Sequence, residues 1–318
     1  MNSADDHGMS TRRAPQRLPS WLRTRFDGGR ARHEVRSLLR ELHLHTVCES
    51  AHCPNLCECW RRHAATFLLL GDVCTRNCRF CAVKHGVPEG PDPREPERVV
   101  EAVRRLGLRF VVLTCVTRDD LADGGAAHLA SVIRALRAGL PQTGVEILFS
   151  DFGGRLASVD EVLAAGPDVA NHNVETTERM TPLVRNRADY RRSLQVLAHV
   201  ARQGAAGGGR IRVKSGLMLG MGERPEEVRA TLADLRRSGV AILTLGQYLP
   251  PSAAHWPLDR YVSPDEFREW ERVAREEIGF EVVVSGPLVR SSYLAENAAA
   301  GSGADAADVA GGGEGDAR

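Results

Sequence analysis

Six short apolar segments alternate with amphipathic helical patterns along most of this chain, and this alternation limits the possible folds more than any other feature. A chain of 318 residues is long enough to bury the core of one large domain. Strands that are apolar on both faces and alternate with helices are typical of a parallel sheet covered by helices. The sequence therefore predicts an α/β fold, with strands within residues 66–73, 109–116, 145–151, 167–174, 210–219 and 240–249.

Two arrangements of such a sheet fit the pattern, a doubly wound sheet and a β/α barrel. Polar residues follow the carboxyl end of nearly every predicted strand, and β/α barrels build their active sites from these positions. No Gly-x-Gly-x-x-Gly fingerprint of dinucleotide-binding sheets follows the first strand. Both observations favour a barrel. Because six repeats are fewer than the usual eight, we predict an incomplete (β/α)6 TIM-type barrel with extensions at both ends.

The regions outside the repeats differ from the predicted barrel in composition. The C-terminal tail is mostly Ala and Gly and has no aromatic residue, which is typical of disordered segments. The first residues of the chain also favour disorder. We expect a disordered N-terminus (1–16), an N-terminal extension (17–65), the partial barrel (66–280), a C-terminal extension (281–296) and a disordered tail (297–318).

The charges of the chain are nearly balanced, with 42 Lys and Arg against 41 Asp and Glu. Nucleic-acid-binding proteins usually carry a basic excess, so we do not expect this class. No apolar run approaches the ~18 residues that span a bilayer, and no export signal is recognisable, so we expect a cytoplasmic protein. Nine arginines between residues 12 and 40 form either a solvated extension or a docking surface for an acidic partner.

Three cysteines, Cys74, Cys78 and Cys81, follow the first predicted strand with the spacing C-x3-C-x2-C, and we call them the loop cysteines. In the cytoplasm, clustered cysteines are metal ligands more often than disulfides. A structural zinc site takes four ligands, and no fourth Cys or His stands at a matching distance. A 4Fe–4S cluster takes four thiolates when it is saturated, so three leave one iron open to a small molecule. The spacing favours a catalytic iron–sulfur cluster, with structural zinc as the alternative.

This segment, CTRNCRFC with Phe80 before the last cysteine, resembles the cysteine motif of the radical S-adenosylmethionine (SAM) enzymes. The resemblance implies that the amino and carboxylate groups of SAM bind the open iron. It also implies that one electron from the cluster cleaves SAM to methionine and a 5′-deoxyadenosyl radical. Residues after later strands would then contact SAM, with ordinary turn glycines and loop polar groups as the alternative. With Phe80, the candidates are Asp120, Gly124, Gly125, Asn173, Glu175, Lys214 and Gly220.

A second group, Cys48, Cys53 and Cys59, precedes the predicted barrel with the spacing C-x4-C-x5-C, and we call it the N-terminal cysteines. Together with the segments TRDDLADGGA, NHNVET and KSGLMLGMGE and the RSSY motif at 290–293, it resembles the lipoyl synthase family over residues 18–296. The resemblance implies a second 4Fe–4S cluster, bound by these cysteines and Ser292 and consumed as the sulfur donor. A serine oxygen is a harder and more basic ligand than a thiolate, so protonation should displace it more easily.

The same resemblance implies the reaction, which is insertion of sulfur at carbons 6 and 8 of an octanoyl chain attached to a lysine. Unactivated C–H bonds offer no acid–base handle, so one radical is needed for each of the two hydrogens. The implied partners are octanoylated lipoyl carrier domains (2-oxoacid dehydrogenase E2 and the glycine cleavage H protein) and a ferredoxin or flavodoxin as electron donor. These carriers tend to be acidic, which favours the docking interpretation of the N-terminal arginines.

Two cysteines and several histidines fall outside these assignments. Cys57 stands where the family commonly has a non-ligand, although a triad of Cys48, Cys53 and Cys57 is chemically possible. We expect Cys115 to be a core thiol of the second predicted strand. A ferredoxin-like electron carrier is the rival class to an enzyme. Four histidines near the N-terminal cysteines favour surface positions over a zinc site: His43, His45, His52 and His63.

Overall fold

The computed structural model describes residues 17–23, 29–61 and 65–301 of the chain. The predicted disordered N-terminus, residues 1–16, lies outside the described residues, as does the tail after residue 301. Three of the nine N-terminal arginines and one of the four histidines near the N-terminal cysteines also lie outside the described residues, namely Arg12, Arg13, Arg25 and His63.

The main sheet has eight strands in the described part of the chain, and seven of them are parallel. Their order in this sheet is β1-β2-β5-β6-β7-β8-β9-β10, while β3 and β4 form a small separate sheet. The strands are β1 (His45–Thr46), β2 (Thr66–Leu69), β3 (Val73–Cys74), β4 (Lys84–His85), β5 (Phe110–Cys115), β6 (Gly144–Leu148), β7 (Val169–Asn171), β8 (Arg212–Leu219), β9 (Ile242–Gln247) and β10 (Val282–Gly286).

From β2 onward, the neighbours in the main sheet follow the order of the chain without reversal. A doubly wound sheet reverses its strand order at a switch point, so that alternative does not describe this topology. The series also has one parallel strand more than the six predicted. Val282 of β10 lies opposite Ile242 of β9, within the segment predicted to be the C-terminal extension. The run of three valines in β10 is short and apolar, and it extends the repeat pattern by one strand.

Helices connect the strands, and their ends follow ordinary capping chemistry. Ser263 caps α10 by accepting a hydrogen bond from the Glu266 N–H at 3.1 Å, with Pro264 at the first helical position. The helices are α1 (Arg30–Glu41), α2 (Val47–Ser50), α3 (Leu56–Arg61), α4 (Glu95–Leu106), α5 (Ala126–Gly139), α6 (Leu156–Ala164), α7 (Thr181–Val184), α8 (Tyr190–Ala206), α9 (Pro225–Arg237), α10 (Pro264–Arg272) and α11 (Ala295–Ala299).

Two apolar clusters attach the ends of the chain to the sheet. The main core lies between the sheet and its helices, with strand residues such as Leu113 and Ile147 fully buried. Trp60 of α3 is 0% exposed in this core, so the N-terminal extension shares it. A second cluster joins β7, β9 and β10 to Tyr293 and Ala298. Full burial of one such large apolar side chain contributes about 1.5–3 kcal/mol, so both extensions are held firmly.

Helix α11 runs into the segment that the sequence predicts to be the disordered tail. Ala298 is 1% exposed in the second cluster. The Arg212 guanidinium donates to the carbonyls of Ala298 at 2.9 Å and Ala299 at 3.1 Å, which satisfies two carbonyls at the helix end. The ordered part of the chain therefore continues past residue 297.

Candidate active site

A cavity of about 510 Å³ lies at the carboxyl ends of the parallel strands. In a parallel sheet with helical connections, this edge collects the loops that carry function. The volume is in the range of sites for small ligands, about 300–1,000 Å³. The lining comes from strand ends, from the segment before the sheet and from the segment after it: Thr114, Leu148, Asn173, Gly216 and Thr244, then His52 and Pro54, then Arg290 and Ser291.

The loop cysteines Cys74, Cys78 and Cys81 all line this cavity, and Phe80 lines it with them. Burial raises the pKa of the Cys78 thiol, and it raises that of Cys81 to about 12. Charges on the other loop cysteines raise both pKa values further. Thiols bind metals as thiolates, so a bound cation would stabilise the form that burial disfavours. Across the described residues, no three His, Cys, Asp or Glu side chains converge closely enough to share one metal ion.

Arg76 anchors the loop of these cysteines to the ends of two other strands. Its guanidinium donates to both carboxylate oxygens of Asp119 at 2.8 Å and to Asp151 at 2.7 Å. The N–H groups of Arg76 and Thr117 also donate to the Cys74 Sγ, at 3.4 and 3.3 Å. Burial by itself would raise the pKa of Asp151, but the hydrogen bond and charge of Arg76 outweigh it and lower the pKa to about 2. The loop is thus held by one buried ion pair, with Asp151, and one partly buried pair, with Asp119.

Asn173, Glu175 and Arg185 bring polar side chains to the same cavity. Burial raises the pKa of Glu175, although the charge of Arg185 opposes the rise. The backbone of Glu175 is left-handed, with φ 66°, which is uncommon for a residue with a side chain and points to a functional constraint. The Arg185 Nη1 donates to the carbonyl of Val174 at 2.9 Å, which fixes the guanidinium beside the strand end. Arg185 was not among the predicted contacts.

Two atoms of this polar group are buried without a hydrogen-bond partner, Asn173 Oδ1 and Arg185 Nε. A buried polar group without a partner costs about 1–3 kcal/mol, so both atoms fit a polar ligand. Gly216 keeps the space beside them open, because a Cβ there would lie 3.1 Å from Asn173 Oδ1 and would collide with Thr244 Oγ1. An amide oxygen and a guanidinium suit hydroxyl and carboxylate groups, which are the groups that the ribose and amino-acid ends of SAM carry.

Lys214 and Gly220, both predicted to contact SAM, are not among the residues that line the cavity. The Lys214 Nζ lies 2.9 Å from both carboxylate oxygens of Glu146, and the two side chains are 0% and 1% exposed. Asn171 donates to the same carboxylate at 2.9 Å. A buried lysine needs such a partner, so the ion pair explains Lys214 without a ligand. Gly220 has φ 100°, and a Cβ there would lie 2.5 Å from the Arg260 carbonyl oxygen.

Asp120, Gly124 and Gly125 also lie outside the lining. The Arg118 guanidinium donates to both oxygens of Asp120, with the shortest contact at 2.8 Å. Gly124 and Gly125 have φ 70° and 88° in the turn that begins α5, and a Cβ at Gly125 would lie 2.5 Å from the side chain of Leu70. A left-handed turn against a packed neighbour favours glycine, which accounts for the turn at Gly124 and Gly125, and their contact with SAM stays a prediction.

The N-terminal cysteines lie on α2, on α3 and on the turn between these helices. Burial raises the pKa of Cys48 to about 11, and the neighbouring Cys53 adds to the rise. Burial also raises the pKa of Cys53, while the charge of Arg290 opposes it. Cys59 packs against both the main core and the second apolar cluster. The structure therefore brings Cys53 close to the RSSY motif.

The C-terminal segment meets the N-terminal cysteines through two more contacts. The buried Asn55 donates to the Leu288 carbonyl at 2.7 Å, and the Tyr293 hydroxyl donates to Glu58 Oε1 at 3.1 Å. Ser292, the predicted ligand, lies between these two contacts in sequence. It does not line the cavity, whereas its neighbours Arg290 and Ser291 do.

Gly246 of β9 lets the C-terminal segment cross the sheet at close range. A Cβ at this position would collide with the Val289 carbonyl oxygen and lie 3.0 Å from its carbon. The Arg290 Nη1 donates to the carbonyls of Val289 at 2.8 Å and Gln247 at 3.2 Å, which fixes its guanidinium against the strand end. The position of the RSSY motif therefore depends on Gly246 of β9, a residue that the sequence did not single out.

The two remaining cysteines of the described chain differ in their surroundings. Cys57 is partly buried on α3. Cys115 ends β5, packs against the main core as predicted, and also lines the cavity. Burial raises the pKa of Cys115 to about 12, and the charge of Cys74 adds to the rise. At neutral pH it is therefore an uncharged thiol beside the loop cysteines.

Comparison with known proteins agrees with this fold. A family model described as the radical SAM superfamily matches residues 68–235. A second model, described as the N-terminal domain of lipoyl synthase of the radical SAM family, matches residues 3–53. With three cysteines in the loop after β2, at the carboxyl edge of a parallel sheet, the chain is a member of the radical SAM superfamily.

Curated relatives identify one family within this superfamily. The lipoyl synthase of Methylococcus capsulatus is 54% identical over 90% of this chain and 88% of its own length, that of Caldicellulosiruptor saccharolyticus 51% over 87% and 96%, and that of Pyrobaculum calidifontis 53% over 88% and 96%. This chain belongs to the lipoyl synthase family.

Solved structures resemble the fold at much lower identity. Methylornithine synthase (PylB) has a TM-score of 0.52 at 12% identity and covers 79% of this chain, with 74% of its own length matched. HydG, a maturase of the FeFe hydrogenase, has a TM-score of 0.53 at 14% identity over 80% of this chain and 62% of its own. These likenesses concern the fold alone. Among the described residues, every helix is too short or too polar to cross a membrane.

Proposed function

We propose that this chain inserts two sulfur atoms at carbons 6 and 8 of a protein-bound octanoyl-lysine to give lipoyl-lysine. The observation that carries the proposal is that one cavity is lined by the loop cysteines and by residues next to the N-terminal cysteines. The loop cysteines line it directly, and His52 and Pro54, next to Cys53, form another part of its wall with Arg290. A reaction that removes hydrogen at one centre and adds sulfur from another needs both centres within reach of one substrate chain.

The loop cysteines would hold a 4Fe–4S cluster with one iron open to SAM. When bound, these groups supply the one-electron chemistry that removes hydrogen from an unactivated C–H bond. Asn173, Glu175 and Arg185 would orient SAM. The partnerless Arg185 Nε suits its carboxylate, and the partnerless Asn173 Oδ1 suits a ribose hydroxyl. The adjacent Gly216 leaves the backbone open to close approach.

The N-terminal cysteines Cys48, Cys53 and Cys59 would hold a second 4Fe–4S cluster, with Ser292 as the fourth ligand and the cluster as the source of sulfur. The proximity of Cys53 to Arg290 supports this assignment, because it places the RSSY motif beside the cysteines. A serine oxygen is more readily protonated than a thiolate, which suits a cluster that must release part of itself.

The apolar part of the lining suits the octanoyl chain. An apolar wall excludes water, which protects a reactive centre from side reactions. We further propose that the parallel strands curve into an incomplete barrel around this space, because the strand order has no reversal. The apolar lining residues are Leu68, Val116, Leu217, Met218 and Val289.

One anaerobic experiment tests the proposal. The reconstituted chain should contain about eight irons, two cubes of four, and no zinc. With SAM, a strong reductant and an octanoyl-lysine peptide it should form 5′-deoxyadenosine and lipoyl-lysine, measured by liquid chromatography and mass spectrometry. A chain that binds zinc without iron would refute the proposal. A chain with two clusters that fails to cleave SAM would instead be an electron carrier.

We propose octanoylated carrier domains (2-oxoacid dehydrogenase E2 or the glycine cleavage H protein) as substrates, and a ferredoxin or flavodoxin as electron donor. Within the arginine-rich segment, Arg30 is 92% exposed beside Glu34, and Arg36 is 34% exposed beside Glu49. An exposed pair such as Arg30 with Glu34 contributes little to stability, so an acidic partner can compete with the glutamate for the arginine, whereas Arg36 is partly buried.

Reversing Arg30, Arg32 and Arg36 to Glu should weaken binding of an octanoylated carrier domain by about tenfold at low salt through loss of charge complementarity. Arg268 of α10, which is 64% exposed, offers a matched control, and its reversal should have no effect. The measurement is calorimetry at two salt concentrations. Equal affinities of the triple variant and the wild type at low salt would rule out this surface.

A further inference from the structure

The segment from residue 249 to 258, which we call the strap, contacts the backbone of the loop cysteines directly. We propose that the strap positions the loop cysteines through His255 and Trp256 and shields their cluster from solvent. The inference goes beyond the proposed reaction but rests on the proposed role of these cysteines as cluster ligands.

Arg79 lies between Cys78 and Cys81, and both of its backbone groups are bonded to other loops. Its N–H donates to the carbonyl of Val184 at 2.8 Å, and its carbonyl accepts the Trp256 N–H at 2.7 Å. The Arg79 guanidinium also stacks over the Trp256 ring, 4.5 Å from its centroid. A cation over an aromatic face adds about 0.5–1 kcal/mol at an exposed site. The strap therefore fixes this turn at its midpoint.

His255 contacts a loop cysteine itself. Its Nε2 lies 3.1 Å from the carbonyl oxygen of Cys81, and its Nδ1 lies 2.8 Å from Ser252 Oγ. A carbonyl only accepts, so Nε2 carries the hydrogen and Nδ1 accepts from the serine hydroxyl. The imidazole thus joins the strap to the backbone of Cys81 through one oriented donor.

The strap also has an apolar anchor that is separate from the main core. Met180, Met221 and Tyr248 are buried in a small cluster, with Phe80 and Trp256 packed against it. Two hydrogen bonds orient the tryptophan there, since its Nε1 donates to the Met221 carbonyl at 2.9 Å and its own carbonyl accepts the Tyr248 hydroxyl at 2.7 Å. Three loops and the strap meet in this cluster, so packing joins the strap to the cysteine turn.

The contacts of the strap should affect the cluster of the loop cysteines more than the stability of the fold. The residues between Cys74 and Cys81 form neither helix nor strand, so their geometry depends on contacts from elsewhere. Hydrogen bonding and solvent exposure set the reduction potential of an iron–sulfur cluster. Removing the strap's contacts should therefore loosen the cluster and raise its potential by admitting water.

The test uses a Cys48→Ala/Cys53→Ala/Cys59→Ala background, so that only the cluster of the loop cysteines is present. His255→Ala should release iron to a chelator about fivefold faster, as expected for one lost hydrogen bond, and Trp256→Ala should release it faster still. Both should shift the midpoint potential, followed by electron paramagnetic resonance, to a more positive value. His255→Gln keeps a donor of similar reach and should restore both properties.

Two variants serve as matched controls. His33 is exposed on α1, and Trp21 is 42% exposed in the N-terminal extension, so His33→Ala and Trp21→Ala should change neither property. A lower melting temperature with unchanged release rate and potential would overturn the inference, since it would show a purely structural role. A background chain that binds no iron would instead refute the proposed cluster, and the inference with it.

Discussion

The two cysteine groups are held in different ways. Cys74 ends the short strand β3, whereas Cys78 and Cys81 lie on irregular backbone. Their loop is fixed by the ion pairs of Arg76 with Asp119 and with the buried Asp151, and by the strap. The N-terminal cysteines lie on and between two short helices, with Trp60 of α3 buried in the main core, and the C-terminal segment closes over them.

The difference matches the two proposed tasks. A centre that acts repeatedly and survives benefits from preorganised surroundings that stay fixed. A centre that gives up part of itself needs one wall that can be released and rebuilt. Where the C-terminal segment meets the N-terminal cysteines, the donors of its hydrogen bonds are uncharged, from Asn55 to the Leu288 carbonyl and from Tyr293 to Glu58. These contacts are the releasable part of the wall, while the second apolar cluster keeps the rest of the segment attached to the sheet.

The largest expected effect is that removing a cysteine from one group or from the other changes different activities. Cys59→Ala should abolish lipoyl formation and spare SAM cleavage, because it removes only a ligand of the sulfur-donating cluster. Cys57→Ala, a change of the thiol two residues earlier on α3, should leave both activities largely intact. Cys81→Ala should abolish both. Lipoyl-lysine and 5′-deoxyadenosine are measured in the same anaerobic assay, and an essential Cys57 would show that the ligand register is wrong.

Gly246→Ala should damage the N-terminal group alone. The new methyl group would collide with the Val289 carbonyl oxygen, and overpacking against backbone costs about 1–3 kcal/mol. We expect the iron content to fall from about eight to about four per chain with SAM cleavage retained. The control is Gly90→Ala, since a Cβ at Gly90 has no atom within 4 Å. Loss of SAM cleavage together with iron would break the distinction between the two groups.

Asp151→Asn tests whether the ion pair with Arg76 stabilises the loop of the loop cysteines. Loss of a charged hydrogen bond to Arg76 should lower the free energy of unfolding by about 2–3 kcal/mol at neutral pH. The pKa of Asp151 is lowered in the fold to about 2, so its contribution is complete above the ordinary carboxyl range and disappears as the pH falls through about 2. The difference from wild type should therefore be constant between pH 7 and about 5 and shrink below about pH 4.

Denaturant unfolding across this pH range is the measurement. Glu101→Gln supplies the control, because Glu101 is 42% exposed and its pair with Arg104 lies on the surface. That variant should change stability by less than about 0.5 kcal/mol at any pH. A difference for Asp151→Asn that grows toward low pH would contradict the ion-pair account.

Asn55→Ala should give the smallest effect, because it removes one uncharged hydrogen bond beside the N-terminal cysteines. Losing one hydrogen bond to the Leu288 carbonyl should speed chelator release of iron from the N-terminal cluster about fivefold. The measurement needs a background without the loop cysteines, and the exposed Asn186→Ala serves as control. The same substitution is also made in the background without the N-terminal cysteines, and an equal effect on iron release from the cluster of the loop cysteines would contradict a local role of Asn55.

The repeat pattern of the sequence was sufficient to predict the parallel sheet, because apolar strands and helical periodicity are local signals. The seventh strand, Val282–Gly286, was missed since it is short and follows the last helix without a further repeat. Helix α11 was missed for another reason. Its few alanines carry no periodicity, and the helix depends on distant contacts such as those from Arg212.

The cysteines could be located from their spacing, but the polar contacts around them depend on tertiary structure. Lys214 appeared suited to a ligand because a cation in an apolar strand needs an anion. Its partner Glu146 lies 68 residues away, on a strand whose register the sequence does not reveal. Arg185 was not predicted, because a single charged residue in a polar loop forms no recognisable sequence pattern. Only the fold brings it into the cavity.

The contact between Asn55 and Leu288 spans 233 residues, and this separation orders events during protein synthesis. Ribosomes add about 5–20 residues per second, so roughly 10–50 s pass before the wall that closes over the N-terminal cysteines exists. The loop cysteines meet their first distant partner, Thr117, only 43 residues after Cys74. Their last described partner, the strap, comes much later, because His255 lies 174 residues after Cys81. The surroundings of both cysteine groups are therefore completed only late in synthesis.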